Sequence, residues 1–296
     1  MNPVTDAAAV PARTVTTRRV RFEYPRPELR RYYVNGDPVM SAVVSVLSSL
    51  FPEGEDFFVR SVRSYRDEIT DAELKKQVAG FIGQEAMHGR QHREFNERLA
   101  ELGYPTHAID RTLRWGFKAS EKLPGRARRL AVTTALEHYT ATLAETLLTD
   151  VRAQDSFDVD EVRDLFLWHA LEESEHKAVA FDVFSAVSGK HRMRRLVMNL
   201  TTVGFFAVVV FGTTISLAFD PATWRHPIHL LRSLAGLRRS PWVSLAVWRR
   251  LRDYNRHGFH PDDWDATDLT AGWRAELFGP SGRLARRLAS ELAAVQ

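Results

Sequence analysis

Two stretches of the chain repeat one metal-binding phrase. Glu85-Ala-Met-His88 is followed by His92, and Glu173-Ser-Glu-His176 is preceded by His169. On a helix, at roughly 100° per residue, Glu85, His88 and His92 fall within about 60° of one another, as do His169, Glu173 and His176. A carboxylate and an imidazole from each of two facing helices form half of a dinuclear metal site inside a helical bundle. One carboxylate from each of two further helices would complete it. Glu55 and Glu137 are the candidates: Glu137 lies in the apolar run Ala135-Leu-Glu-His-Tyr139, and Glu55 stands beside Glu53 and Asp56, which read as surface residues. A lone buried histidine is more often a hydrogen-bonded core residue than a ligand. Here, however, Glu85 and Glu173 also share their faces with apolar neighbours such as Phe81, Ile82, Phe166 and Phe181. Carboxylates buried in such company need a partner, and a cation is one.

Helices must position these groups, and the chain signals where they begin. Asp37-Pro38 reads as an N-cap followed by proline at the first helical position. Pro52 is expected to kink or restart that helix. Thr70-Asp-Ala-Glu73 fits a capping box, and Gly103 a C-cap, for a second long helix carrying Glu85, His88 and His92. After a connection with a short helix around residues 107–118, a third helix follows Pro124-Gly125 and carries Glu137, His138 and Glu145. Asp158-Val-Asp-Glu161 caps a fourth, expected to run unbroken to Gly189. The order is two hairpins, each supplying Glu and then Glu-x-x-His. No stretch reads as strand, so the expected class is all-α.

Several neighbours receive lesser roles. His92 is a ligand or a hydrogen-bonding support, and His138 a candidate acid or base beside the metals. Glu145, about 80° around the helix from Glu137, and Glu172, about 100° from Glu173, are read as supporting or outward residues. Trp115 and Trp168 are candidates to line a pocket, with core packing as the alternative.

Composition narrows the choices. The chain has 296 residues, 44% hydrophobic and 26% charged, with a net charge of +4 and no cysteine. Disulfides, zinc fingers and iron–sulfur centres are excluded. The charge is too mild and scattered for a nucleic-acid partner. Residues 1–24 read as a disordered basic tail. Residues 25–190 hold the metal-binding helices, and 191–296 a C-terminal helical extension. No N-terminal apolar run signals export, so a cytoplasmic location is expected. Leu196–Phe219 carries no charge and reaches transmembrane length, yet Asn199, several threonines and two glycines soften it. A spanning helix, a buried core helix and a helix lying in the bilayer surface all fit, so membrane association stays open.

The two Glu-x-x-His motifs with two lone glutamates resemble the ferritin-like di-iron carboxylate superfamily. More narrowly, Phe51-Pro-Glu-Gly-Glu55, Gln84-Glu-Ala-Met-His88, Leu136-Glu-His138, Trp168 to Lys177 and Phe259-His-Pro261 resemble a bacterial family labelled predicted metal-dependent hydrolase. His169, four residues before the second motif, resembles the third imidazole of di-iron arylamine N-oxygenases. These resemblances imply a ferritin-like four-helix bundle with additional C-terminal helices. They also imply a ligand set of Glu55, Glu85, His88, Glu137, His169, Glu173 and His176, with Glu85 and Glu173 as bridges. Two metal ions are expected, iron first and manganese or zinc as alternatives. The expected activity is O2-dependent oxidation of a small apolar or aromatic substrate. Hydrolysis by a metal-activated water is the alternative, and a non-catalytic metal-stabilised, membrane-associated protein the third reading. A homodimer is admitted.

Overall fold

The computed structural model describes residues 13–24, 29–122 and 125–288, and among them the regular structure is entirely helical. The core helices are α1 (Pro38–Arg63), α2 (Ala72–Glu101), α4 (Arg126–Thr149) and α6 (Asp160–His176). Between them lie α3 (Thr106–Glu121) and the single turn α5 (Val151–Gln154). Beyond them follow α7 (Val179–Val187), α8 (His191–Ala218), α9 (Pro221–Arg225), α10 (Pro227–Gly236), α11 (Leu245–Asp253) and α12 (Thr267–Phe278).

The helix starts follow their caps. Asp37 accepts the Met40 amide at 2.8 Å with Pro38 behind it. For α2 the capping side chain is Asp71, which accepts the Leu74 amide at 2.7 Å, one residue later than the capping-box reading. Pro52 does not restart a helix: α1 runs through it. Its missing N–H would leave the Ser48 carbonyl without a donor. The Asn96 amide of α2 donates to that carbonyl at 3.0 Å instead. The expected fourth helix is in fact two, broken at Lys177–Ala178 immediately after His176. At the break the buried Lys177 ammonium is held by Glu145 at 2.9 Å and by the Trp264 carbonyl.

Helix α1 packs along α2, and α6 along α4, with α1 also touching α4 and α2 touching α6. Phe57, Phe81, Leu130 and Val183 form part of one apolar cluster; Phe95, Leu99, Trp168 and Leu171 belong to another. Burying each such aromatic side chain contributes about 1.5–3 kcal/mol. The extension is not a separate body: α8 lies across α1 and α4, α11 packs on α4, and α12 packs on α6. Helix α8 is one-sided rather than buried, with Val197, Met198, Gly212 and Ser216 inward and Leu200, Val203 and Phe211 in solvent.

The disordered-tail expectation fails for residues 13–24; residues 1–12 lie outside the described residues. Val20 and Phe22 are core residues, and the segment runs against α2 where two glycines make room. A Cβ on Gly80 would sit 2.2 Å from the Val15 carbonyl oxygen, and one on Gly83 2.0 Å from Thr17 Oγ1. The basic composition misled because Arg18 is not a solvated charge but a buried one.

Candidate metal centre

Each of the seven expected residues reaches one buried region between α1, α2, α4 and α6. They fall into two groups, within each of which one ligand atom per residue lies within 4.8 Å of the others: Glu55, His88, His169 and Glu173, and Glu85, Glu137 and His176. Glu173 spans the two groups. Its Oε1 is 2.9 Å from His169 Nε2 and 3.6 Å from His88 Nδ1, while its Oε2 is 3.6 Å from His176 Nε2. Glu85 does the same, with Oε1 3.1 Å from His176 Nε2 and Oε2 4.0 Å from His88 Nδ1. The two lone glutamates serve one group each: Glu55 Oε1 is 3.6 Å from His169 Nε2, and Glu137 Oε2 is 3.5 Å from His176 Nε2.

Nine polar atoms here are buried without an aligned hydrogen bond, Glu85 Oε1 and His176 Nε2 among them although they face each other at 3.1 Å: both oxygens of Glu55, Glu85 and Glu137, Glu173 Oε2, His88 Nδ1 and His176 Nε2. Without a cation the carboxylates are penalised. Burial, then the neighbouring carboxylates, pushes Glu55 and Glu137 well above the usual range, and burial raises Glu85 to about 7. Burial also drives His88 well below the ordinary imidazole value, which keeps it neutral and able to ligate. Four carboxylates and three imidazoles are oxygen and nitrogen donors that fit two divalent ions such as iron, manganese or zinc.

Each of the three candidate histidines has its outer nitrogen occupied, the usual arrangement of a metal-binding imidazole. His176 Nδ1 donates to Gln84 Oε1 at 2.9 Å, and the Gln84 amide donates in turn to Glu175 Oε2 and the Thr16 carbonyl, both at 3.1 Å. His88 Nε2 lies 3.0 Å from Glu172 Oε2, and an ion on Nδ1 requires the proton on Nε2, where Glu172 accepts it. Glu172 is therefore an inward residue, not an outward one. Burial pushes it up to about 8, against the pull of Arg18, which donates to its Oε1 at 3.0 Å. His169 is held by a longer relay. Ser48 Oγ donates to Asn96 Oδ1 at 2.7 Å and so accepts from His92 Nδ1 at 2.9 Å. That leaves His92 Nε2 to accept from His169 Nδ1 at 2.7 Å, which turns the bare His169 Nε2 inward. His92 thus supports a ligand rather than lying in either group.

Two further expectations change. His138, one residue and about 100° from Glu137, turns away: its Nε2 donates to the Arg250 carbonyl at 2.8 Å, and it packs on Tyr254 and Phe259. Burial lowers it to about 4, and it touches none of the seven, so it is not placed as their acid or base. Trp115 is 75% exposed, whereas Trp168 is fully buried with its ring 4.9 Å from that of His88. Glu53 pairs with Arg114, Asp56 with Arg93, and Glu145 with Lys177 and Arg250, which leaves Glu55 and Glu137 as the inward carboxylates of α1 and α4.

Sequence reading missed Arg18, Ser48, Gln84, Glu175 and Asn96. Arg18 also donates to both oxygens of Glu175, at 2.7 and 2.8 Å, and so clamps the face behind His88 and His176. The signal that could have found it is the Gly80-x-x-Gly83 pair, which marks a close approach on α2. No curated protein and no solved structure matches this chain. The profile of one family, described as predicted metal-dependent hydrolase, matches residues 16–265, a span that takes in the whole centre and the arginine clamp behind it. The chain belongs to that family.

Proposed function

We propose that this protein is a dinuclear metal-dependent hydrolase built on a ferritin-like helical bundle. Glu55, His88 and His169 would hold one ion and Glu137 and His176 the other, with Glu85 and Glu173, whose oxygens face both groups, able to serve either. The observation that carries this reading is the set of nine buried ligand atoms without an aligned hydrogen bond, all belonging to those residues. Burying so many acceptors without donors would cost several kcal/mol. A pair of divalent ions balances the four carboxylates.

Such a pair supplies Lewis-acid polarisation of the bond to be cleaved and lowers the pKa of an attacking water. The chain's own residues do the rest. Gln84, Glu172 and His92 fix the three imidazoles. Phe51, 4.5 Å from the rings of both His92 and His169, and Phe81, edge-on to His176 at 5.0 Å, exclude bulk water. A small substrate suits so enclosed a site.

Activation of O2 by two irons is the second reading, and a specific observation favours it. The titratable groups touching the ligands are already engaged: His92 with Ser48, Glu172 with Arg18. Among the described residues this leaves no unengaged titratable group beside the candidate ligands to act as the general acid that hydrolysis uses and oxidation by the metals does not require.

Metal content of the purified chain, measured by mass spectrometry beside His176→Ala and Glu137→Ala, tests the centre. About two ions per chain, falling towards one in each variant, is expected; full retention would sink the ligand set. Ester or phosphoester cleavage by zinc- or manganese-loaded protein without O2 supports hydrolysis. An absorbance transient on mixing the ferrous protein with O2, and no such cleavage, moves the assignment to oxidation.

A further inference from the structure

We propose that the α8–α11 face seats the protein on an anionic phospholipid surface, with an arginine-lined groove at its rim receiving the lipid phosphates. This inference does not depend on the chemistry of the metal centre.

Helix α8 is long and apolar enough to cross a membrane, and over 28 residues it is about 42 Å long. It does not stand free, because its inner face packs on α1 and α4, the helices that carry Glu55 and Glu137. Crossing a bilayer in that state would drag these polar-cored helices with it, whereas lying in the interface would not. Its outer face is a continuous apolar stripe at helical spacing: Leu196, Leu200, Val203, Val210 and Phe211 are each at least 60% exposed. The following elements continue it through Phe219, Trp224, Ile228, Leu231 and Leu245. Soluble chains rarely leave so much contiguous apolar surface without a partner.

Charge identifies the partner. Residues 191–256 contain eleven arginines, two aspartates and no lysine or glutamate. Both aspartates are engaged: Asp220 by Arg31 and Tyr32, Asp253 by Arg256. Arg195, Arg249, Arg252 and Arg256, with Asp253, Asn255 and Trp264, line a groove of about 610 Å³, four guanidinium groups to one carboxylate. The first three of these arginines have no carboxylate within ion-pair reach among the described residues. Guanidinium forks match phosphate oxygens in pairs. Arginines beside exposed tryptophan and leucine make the composition of a bilayer-surface element that favours anionic lipid. A second copy of the chain is a poor occupant, because a two-fold interface would set this arginine-rich face against itself.

Sedimentation of the full chain with phosphatidylcholine vesicles, with and without phosphatidylglycerol, tests the proposal. Binding to the vesicles that contain phosphatidylglycerol, weakened by salt, is expected. Leu200→Glu with Phe211→Glu should abolish it, and Arg249→Ser with Arg252→Ser should weaken it roughly tenfold or more, all with unchanged metal content and helical circular dichroism. Equal binding to both vesicles overturns the proposal, as does no binding to either. So does inorganic phosphate bound by a protein that ignores vesicles. A stable dimer that Leu200→Glu converts to monomer would assign the face to a second copy instead.

Discussion

The candidate ligands come from two matching hairpins, each group drawing on both, and the hairpins differ in one register position. Four residues before Glu173 stands His169; four residues before Glu85 stands Phe81. The first group therefore has two imidazoles, and the second has one, with the Phe81 ring edge-on to His176 at the place of a ligand. The supports differ as well. His92 follows Glu85 by two helical turns and anchors His169 across the centre, but the matching position after Glu173 is Ala180, beyond the break at Lys177–Ala178. A repeated Glu-x-x-His thus builds two seats, and departures from the repeat make them unequal. If both groups hold ions, the seat with two imidazoles should favour zinc or iron more than the seat with one, which should better tolerate manganese.

The largest test of that inequality is His169→Phe, which gives both halves the same residue at this position. Competition with a chelator should show the first ion bound at least about a hundredfold more weakly, beyond the 10- to 100-fold typical of lost supporting contacts, while the second is held as before. An equal loss at both seats would mean that they are not separate.

Acidity sharpens the comparison between filled and empty protein. In the metal-free fold burial raises Glu85 to about 7 and Glu55 and Glu137 well above their ordinary value of 4.5. Groups raised in the folded state confer stability below their unfolded pKa, and that stability is lost as pH rises through the folded one. The metal-free chain should lose thermal stability between pH 4.5 and about 7, and the metal-loaded chain, which needs these groups ionised, should gain it. A gap in Tm that stays constant over this window would contradict the assignment.

The smallest expected effect is that of Ser48→Ala. It removes the acceptor for His92 Nδ1 and leaves every ligand in place, so affinity at the first seat should fall by about tenfold. Titration of the second seat should not change. A loss at both would make Ser48 a general packing residue rather than part of the His169 relay.

The clustering of the candidate ligands could be read in the sequence because their spacing is helical and their chemistry distinctive, while Glu55 is set apart from Glu53 and Asp56 by the arginines that pair with those two. Their supports were hidden for physical reasons. From Leu167 to His176 every residue of α6 is buried, so Glu172 shows no outward face to contrast with Glu173, and periodicity could not place it. Ser48 and Asn96 acquire their roles from Pro52, whose effect on α1 is cancelled by a side chain of another helix. Arg18 sat in a stretch with no periodicity at all, and only contact across Gly80 and Gly83 brings it to Glu172. His138 was misplaced because adjacent helical residues point about 100° apart.

Glu175 is held from both directions along the chain, by Arg18 and, at 2.7 Å, by Arg274 of α12. The seven candidate ligands all precede residue 177, and Arg274 is made about 100 residues later, roughly 5 to 20 s of synthesis. One arm of the clamp is therefore made before the candidate centre and the other after it.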